Sequence, residues 1–194
     1  CCVDNKKNLI DLNESAKNKN VQIDIYIEFD CGANRCGVKS FEIIESFILS
    51  INDSKHLNFA GFQAYNGSIQ HIKNLKERKI AVVNTCKKIK ELKEKFKKFL
   101  PLITGVGTGC YDLEVAENIY DEIQVGSYAF MDTHYSSIEH DNKLNNTTSF
   151  ENSLFILSSV MSNARDSHAV IDAGLKSISV DSGLPKVTCE EFEY

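Results

Sequence analysis

The sequence predicts a parallel α/β fold that gives way to a short antiparallel β segment. Three observations carry this expectation. Apolar stretches with two-residue alternation recur along the chain, as half-buried strands require. Helical patterns stand between them up to Asp132, and such alternation indicates a parallel sheet. After a polar, aperiodic stretch, two strand-like segments then follow with no helix between them.

Each element is expected in turn. The short apolar run "CCVD" reads as the end of a strand, and "KKNLIDLNESAKNKN" as a short helix. In "VQIDIYIEFD", Ile23, Ile25, Ile27 and Phe29 face one way, and Asp24, Tyr26, Glu28 and Asp30 the other. "SFEIIESFILSI" is a helix and "LNFAGFQAY" a strand. Residues 69–99 form the longest helical pattern, with Val82, Cys86, Ile89, Leu92, Phe96 and Phe99 on one stripe at the spacing a buried face needs. Its lysines read as a solvated outer face, and Pro101 is expected to end it. "PLITGV" is a strand, "YDLEVAENIY" a short helix, and "EIQVGSYAFMD" a further strand. "NKLNNTTSFEN" reads as a linker. "SLFILSSVMS" and "HAVIDAGLKSISV" are the two closing strands. A domain boundary is expected near residue 145, giving units 1–144 and 145–194.

The 194 residues carry a formal net charge of −5 and are 42% hydrophobic. That is a globular composition, and it argues against a nucleic-acid partner. No apolar run reaches the length of a membrane span. The chain begins at Cys1 rather than Met, and is expected to be a piece of a longer protein. Seven cysteines without C-x-x-C spacing support neither a zinc ribbon nor a redox motif. No secretory signal is visible, so reduced thiols and a cytoplasmic location are expected.

Three places could carry chemistry at the ends of the strands. In "TGVGTGCYD", Gly105, Gly107 and Gly109 allow a tight turn whose N–H groups converge, and Thr108 adds a hydroxyl. With a helix following, a phosphate suits it; the alternative is a glycine-rich turn with a helix cap at Asp112. The motif is neither a Walker loop nor G-x-G-x-x-G. In "FQAYNGSIQH", Tyr65 can stack or donate a hydrogen bond, and His71 can move a proton; the alternative is a turn capped by Asn66 or Ser68. Arg35 stays charged at any working pH and would need an anion or a ring nitrogen. Its alternative is an ion pair with Glu28 or Asp30. Asp132, His134, Glu139 and His140 lie close together in sequence, but no metal site is assigned to them. No G-x-S-x-G elbow is present to anchor a hydrolytic triad.

Five motifs, "DCGANRCGV", "GFQAYNGSIQH", "TGVGTGCYD", "IQVGSYAFMD" and "VIDAGLKSISVDSGLP", occur in this order and spacing in the D-threonine aldolase and D-serine dehydratase-like family. These are pyridoxal-phosphate enzymes of the alanine-racemase fold type, and the resemblance covers nearly the whole chain. It implies the C-terminal part of a (β/α)8-type barrel followed by the start of a β domain. It also implies a cofactor set of Arg35 beside the pyridine ring, Tyr65 near it, and Gly105, Gly107 and Thr108 at the phosphate. Tyr135, just past the fourth motif, and Asp181, within the fifth, belong to the resemblance without an assigned role.

The family's Schiff-base lysine belongs to a motif upstream of Arg35, so the catalytic residue is expected outside this chain. Neither Lys39 nor Lys73 stands in that motif. The family's divalent metal, Mn²⁺ or Zn²⁺, is expected on ligands beyond Tyr194. Asn34, Val106 and His134 depart from the family's pattern. The implied activity is cleavage of a β-hydroxy-D-amino acid to glycine and an aldehyde. Two other outcomes stay open: elimination of the D-serine dehydratase kind, and pyridoxal-phosphate binding without turnover. A phosphate-sugar or nucleotide-binding barrel is a further alternative. A small D-amino acid is the expected partner, with a homodimer for the parent protein, and the piece alone is expected to be inactive.

Overall fold

The computed structural model describes residues 1–139 and 150–188. The expected linker, His140, Cys189 and the boundary at residue 145 fall wholly or partly outside the described residues. Contacts divide the chain into Cys1–Gly126 and Ser127–Tyr194.

The first unit is a five-stranded parallel sheet with helical crossovers. Strand β1 (Cys2–Val3) leads into α1 (Lys6–Lys19), β2 (Ile23–Glu28), α2 (Phe41–Asn52), β3 (Leu57–Gln63), α3 (Leu75–Lys95), β4 (Leu102–Gly105), α4 (Tyr111–Ala116) and β5 (Glu122–Ile123). The strands lie in the order β1-β2-β3-β4-β5, all parallel. Every crossover therefore steps the same way, as in a barrel; a doubly wound sheet would reverse direction. One bulge interrupts the β2–β3 register, where Ile25 faces Phe59 and Tyr26 faces Gly61, leaving Ala60 as the extra residue.

Alternation in β2 does what its pattern promises. Ile25, Ile27 and, just beyond the strand, Phe29 are buried, and they join Ile44, Phe47, Ile48 and Ile51 of α2 and Val82, Cys86, Ile89 and Leu92 of α3 in one core. Each such aliphatic side chain removed from water contributes about 1.5–3 kcal/mol. Phe96 seals the layer, with its ring edge-on to Phe41 at 6.0 Å and tilted against Phe62 at 5.7 Å. The other face of β2 is polar, and Asp24 there accepts a hydrogen bond from Asn58 at 2.8 Å.

Helix α3 begins later than its sequence pattern suggests. Asn74 caps it, accepting from the N–H groups of Lys76 and Glu77. Arg78, 1% exposed, donates to the carbonyls of Ile72 and Lys73, which holds the preceding segment in a turn. Residues Gly67–Ile69 form a separate 3-10 turn, and the helix ends at Lys95, before a second 3-10 turn at Lys97–Phe99. Leu100 in the left-handed region, rather than Pro101, reverses the chain.

The strand expected over "EIQVGSYAFMD" is confined to Glu122–Ile123. The chain turns at Ser127, whose carbonyl accepts from the N–H groups of both Phe130 and Met131. In the second unit, β6 (Val160–Arg165) and β7 (His168–Ile171) form an antiparallel hairpin. The shift to antiparallel structure is therefore real, but shorter than its apolar sequence suggested. Asp172 ends β7, and its carboxylate accepts from the Ser158 hydroxyl and the Ser159 N–H. Among the described residues no helix is long and apolar enough to cross a membrane.

Candidate functional site at the C-terminal strand ends

The segments that follow β2, β3 and β4 lie at the same end of the parallel sheet. After β2 the chain makes a compact loop. Asp30 organises it: one carboxylate oxygen accepts from the N–H groups of Gly32 and Asn34, both at 3.0 Å, and the other pairs with Lys39 at 3.2 Å. Burial pushes this carboxyl up, but the two N–H groups and the ammonium outweigh it and hold it below the ordinary aspartate value. Asn34 occupies the left-handed region at φ 54°, which Asn tolerates, and its side chain accepts from Lys39.

Arg35 sits on this loop. Its guanidinium lies 3.6 Å from Glu28 and 5.5 Å from the centre of the Tyr65 ring. The ion-pair alternative thus holds for Glu28, while Asp30 is engaged by Lys39. The Arg35 side chain keeps 60% exposure, so it can still meet another group. Tyr65 follows β3 directly, and burial raises its phenol while Arg35 lowers it. Two residues from separate motifs therefore meet. Asn66 caps the next turn through Ser68, and His71 lies exposed just beyond it, ahead of α3.

The turn after β4 is buried throughout, from Gly105 to Cys110. It packs against the turn after β3. A Cβ on Gly107 would lie 2.5 Å from the Gln70 side chain, and one on Gly109 would lie 1.9 Å from the Gln70 carbonyl oxygen. The backbone can approach this closely only with glycine. Gly105 ends β4, and its carbonyl accepts from Gln124 N–H at 2.7 Å. Thr108 is 7% exposed. The expected cap at Asp112 is absent: Cys110 holds the N-cap position without a side-chain bond, and the Asp112 carboxylate accepts from Leu113 N–H.

A buried carboxylate, unanticipated from sequence, meets this turn. Glu114 is fully buried. It accepts from Gly107 N–H at 3.3 Å, from Gln70 Nε2 at 3.1 Å and from the Tyr120 hydroxyl at 3.3 Å. Burial raises its carboxyl despite those three donors, and burial likewise raises the Tyr120 phenol. The signal that could have found it is spacing, since Glu114 stands four residues after Cys110, a residue type that is usually buried. Also missed was an amide cluster at the strand ends. Gln63 and Gln124 bond reciprocally, and Gln124 Nε2 donates to Thr104 Oγ1 at 2.9 Å.

In the second unit, Tyr135 opens a 3-10 turn tied to Asp132 through its N–H, and Asp181 accepts from Ser179. Among the described residues, no group of three or more His, Cys, Asp or Glu could hold a metal ion.

Fold and site together define a barrel-type α/β unit with its polar residues gathered at the strand ends. Residues 1–134 match the alanine racemase N-terminal domain, and the chain belongs to that family. Among curated proteins it is 41% identical over 190 residues to a 3-hydroxy-D-aspartate aldolase of Paracoccus denitrificans, covering 96% of this chain and 49% of that protein. It is 37% identical over 193 residues to a D-threonine aldolase of Arthrobacter sp., again covering 96% and 49%. The crystal structure of D-threonine aldolase from Filomicrobium marinum superposes with a TM-score of 0.85 at 31% identity, over 94% of this chain and 49% of that one. The chain spans about half the length of the curated relatives it matches.

The donor set suits pyridoxal phosphate, the cofactor expected from the resemblance. A permanently charged guanidinium lies against a phenol ring, and a glycine-rich turn with main-chain N–H groups stands at the same end of the sheet. On the loop after β2 the acidic groups are paired, Asp30 with Lys39 and Glu28 with Arg35, and Glu114 beneath the β4–α4 turn is held by three hydrogen-bond donors.

Proposed function

We propose that the chain is part of a pyridoxal-phosphate-dependent lyase that cleaves β-hydroxy-D-amino acids by retro-aldol scission to glycine and an aldehyde. The observation that carries this reading is the meeting of Arg35 and Tyr65 beside the β4–α4 turn, in a chain similar along its length to two aldolases of such substrates. Arg35, Tyr65, Gly105, Gly107 and Thr108 would hold the cofactor, which supplies an electron sink for the charge left at the substrate's Cα. Arg35 presents N–H donors and no acceptor. Beside the ring nitrogen it would disfavour protonation there, which would restrain side reactions. Glu28 orients the guanidinium, and the Tyr65 ring backs it. Thr108 and the turn N–H groups not taken by Glu114 would bind the phosphate.

The Schiff-base lysine and a divalent metal, Mn²⁺ or Zn²⁺, would come from other parts of the parent protein, and a homodimer is the assembly we infer for it. We place the enzyme in the cytoplasm, where thiols stay reduced. Aldolase chemistry is preferred to D-serine dehydratase-like elimination because the relatives are named as aldolases.

The test is incubation of the full-length protein with pyridoxal phosphate, Mn²⁺ and either D-threonine or 3-hydroxy-D-aspartate. Glycine and the matching aldehyde are expected. Ammonia and a 2-oxo acid in their place would assign elimination. A visible cofactor band that borohydride removes, without turnover, would assign a binding module.

A further inference from the structure

Glu114 is a buried, hydrogen-bonded acidic group outside the site residues already assigned. It is fully buried, which is rare for an ionisable side chain unless something holds it. Its three donors come from three different segments: Gln70 from the β3–α3 turn, Gly107 from the β4–α4 turn, and Tyr120 from the approach to β5. The two turns also meet through the weaker bond from Cys110 Sγ to the Ile69 carbonyl at 3.4 Å. Gln70 Nε2 also donates to the Asn66 carbonyl, and its Oε1 has no partner among the described residues. The Gln70 amide is therefore held by what Glu114 and Asn66 accept from it.

We propose that Glu114 is a positioning residue for anion binding: by taking the Gly107 N–H and the Gln70 amide together, it fixes the β4–α4 turn in the form that receives the cofactor's phosphate. This rests on the pyridoxal-phosphate reading above. The carboxylate touches neither cofactor nor substrate and acts through the Gly107 main chain. The amide that sequence offered to a phosphate is thus committed to an internal anion, and the rest of the turn is left to meet an external one. What the clamp requires is an acceptor at the Oε2 position. A glutamine side chain can supply it, with its NH₂ group turned to the Tyr120 oxygen, which accepts.

Phosphate dependence separates this role from a general structural one. Affinities for pyridoxal 5′-phosphate and for pyridoxal, which lacks the phosphate, are measured by absorbance titration of the full-length protein and its Glu114 variants. Hydrogen exchange at the Gly107 amide is followed without added cofactor. Glu114→Ala should weaken pyridoxal phosphate by about tenfold or more, the scale of one charge-assisted hydrogen bond. Pyridoxal should be unaffected, and exchange at Gly107 should accelerate. Glu114→Gln should restore both properties. Glu114→Asp, one methylene shorter and still charged, should fall between them, and it serves where the alanine variant does not fold.

Equal loss of both ligands, unchanged phosphate affinity, or a glutamine variant as impaired as alanine would overturn the proposal. If the unaltered protein binds neither ligand, the pyridoxal-phosphate reading fails and takes this inference with it. If it binds both and the variants match it, only the positioning role fails.

Discussion

At the scale of single residues, Asp30 shows how a loop is made to present an arginine. Its carboxylate replaces the backbone partners that a seven-residue excursion leaves behind, and Lys39 closes it from the far side. Replacement by alanine strands two N–H donors and should cost about 1–3 kcal/mol of stability at neutral pH. The pH dependence has a definite sign. Because the folded carboxyl sits below its ordinary value, the unfolded chain binds more protons between the two values. The contribution is therefore complete above the ordinary aspartate value and is lost as pH falls through the lowered one. Chemical denaturation of the protein and of Asp30→Ala across the acid range should show the two curves converging at low pH. A constant gap between them would show that the charge of Asp30 adds nothing. Glu114 has the opposite sign, since its carboxyl is raised, and stability falls as pH rises through its window.

At the scale of elements, the strands and helices that bury one face were legible because burial writes a period into the sequence. Strand β2 and helix α3 are the clear cases, with Ile25, Ile27, Val82, Cys86, Ile89 and Leu92 all in the core. Where side chains bond to backbone, the period misleads. Asn74 and Arg78 start α3 late, and Asp172 stops β7 early. Of the site, the pairing of Arg35 with Glu28 could be weighed from spacing, but its contact with Tyr65 joins two segments thirty positions apart and needs the fold. The glycine turn was recognised as a turn, and its reason lies in a neighbour that no local pattern names. Gly109→Ala tests that reason. Its Cβ would meet the Gln70 carbonyl at 1.9 Å, a main-chain atom that cannot rotate away. The cost should be at least that of overpacking a core, about 1–3 kcal/mol. Thermal melts of Gly109→Ala beside Gly126→Ala, whose Cβ meets nothing within 4 Å, should separate widely, and equal melts would refute the packing account.

At the scale of the whole chain, the parallel sheet sets the question of how its exposed surfaces are completed. Among the described residues β1 pairs only with β2, and β5 only with β4. Each therefore presents a row of main-chain donors and acceptors, the usual template for joining another strand. The face opposite the helices carries Tyr26 and Glu28 on β2, Gln63 on β3 and Glu122 on β5. Burial raises the Tyr26 phenol, and Glu122 raises it further across the sheet. In a closed barrel such inward side chains pack against strands from the other half. Here the chain spans about half of its relatives, so the 194 residues produced by themselves leave two strand edges to pair between copies. A net charge of −5 opposes association only weakly at physiological salt, where repulsion is screened beyond about 8 Å. Sedimentation velocity should therefore show species larger than a monomer that grow with protein concentration. Lysine substitutions at Cys2 and Ile123, an exposed position on each edge strand, should suppress them by adding charge to the edges. A concentration-independent monomer with a single cooperative melt would mean that the two edges are closed by something other than strand pairing.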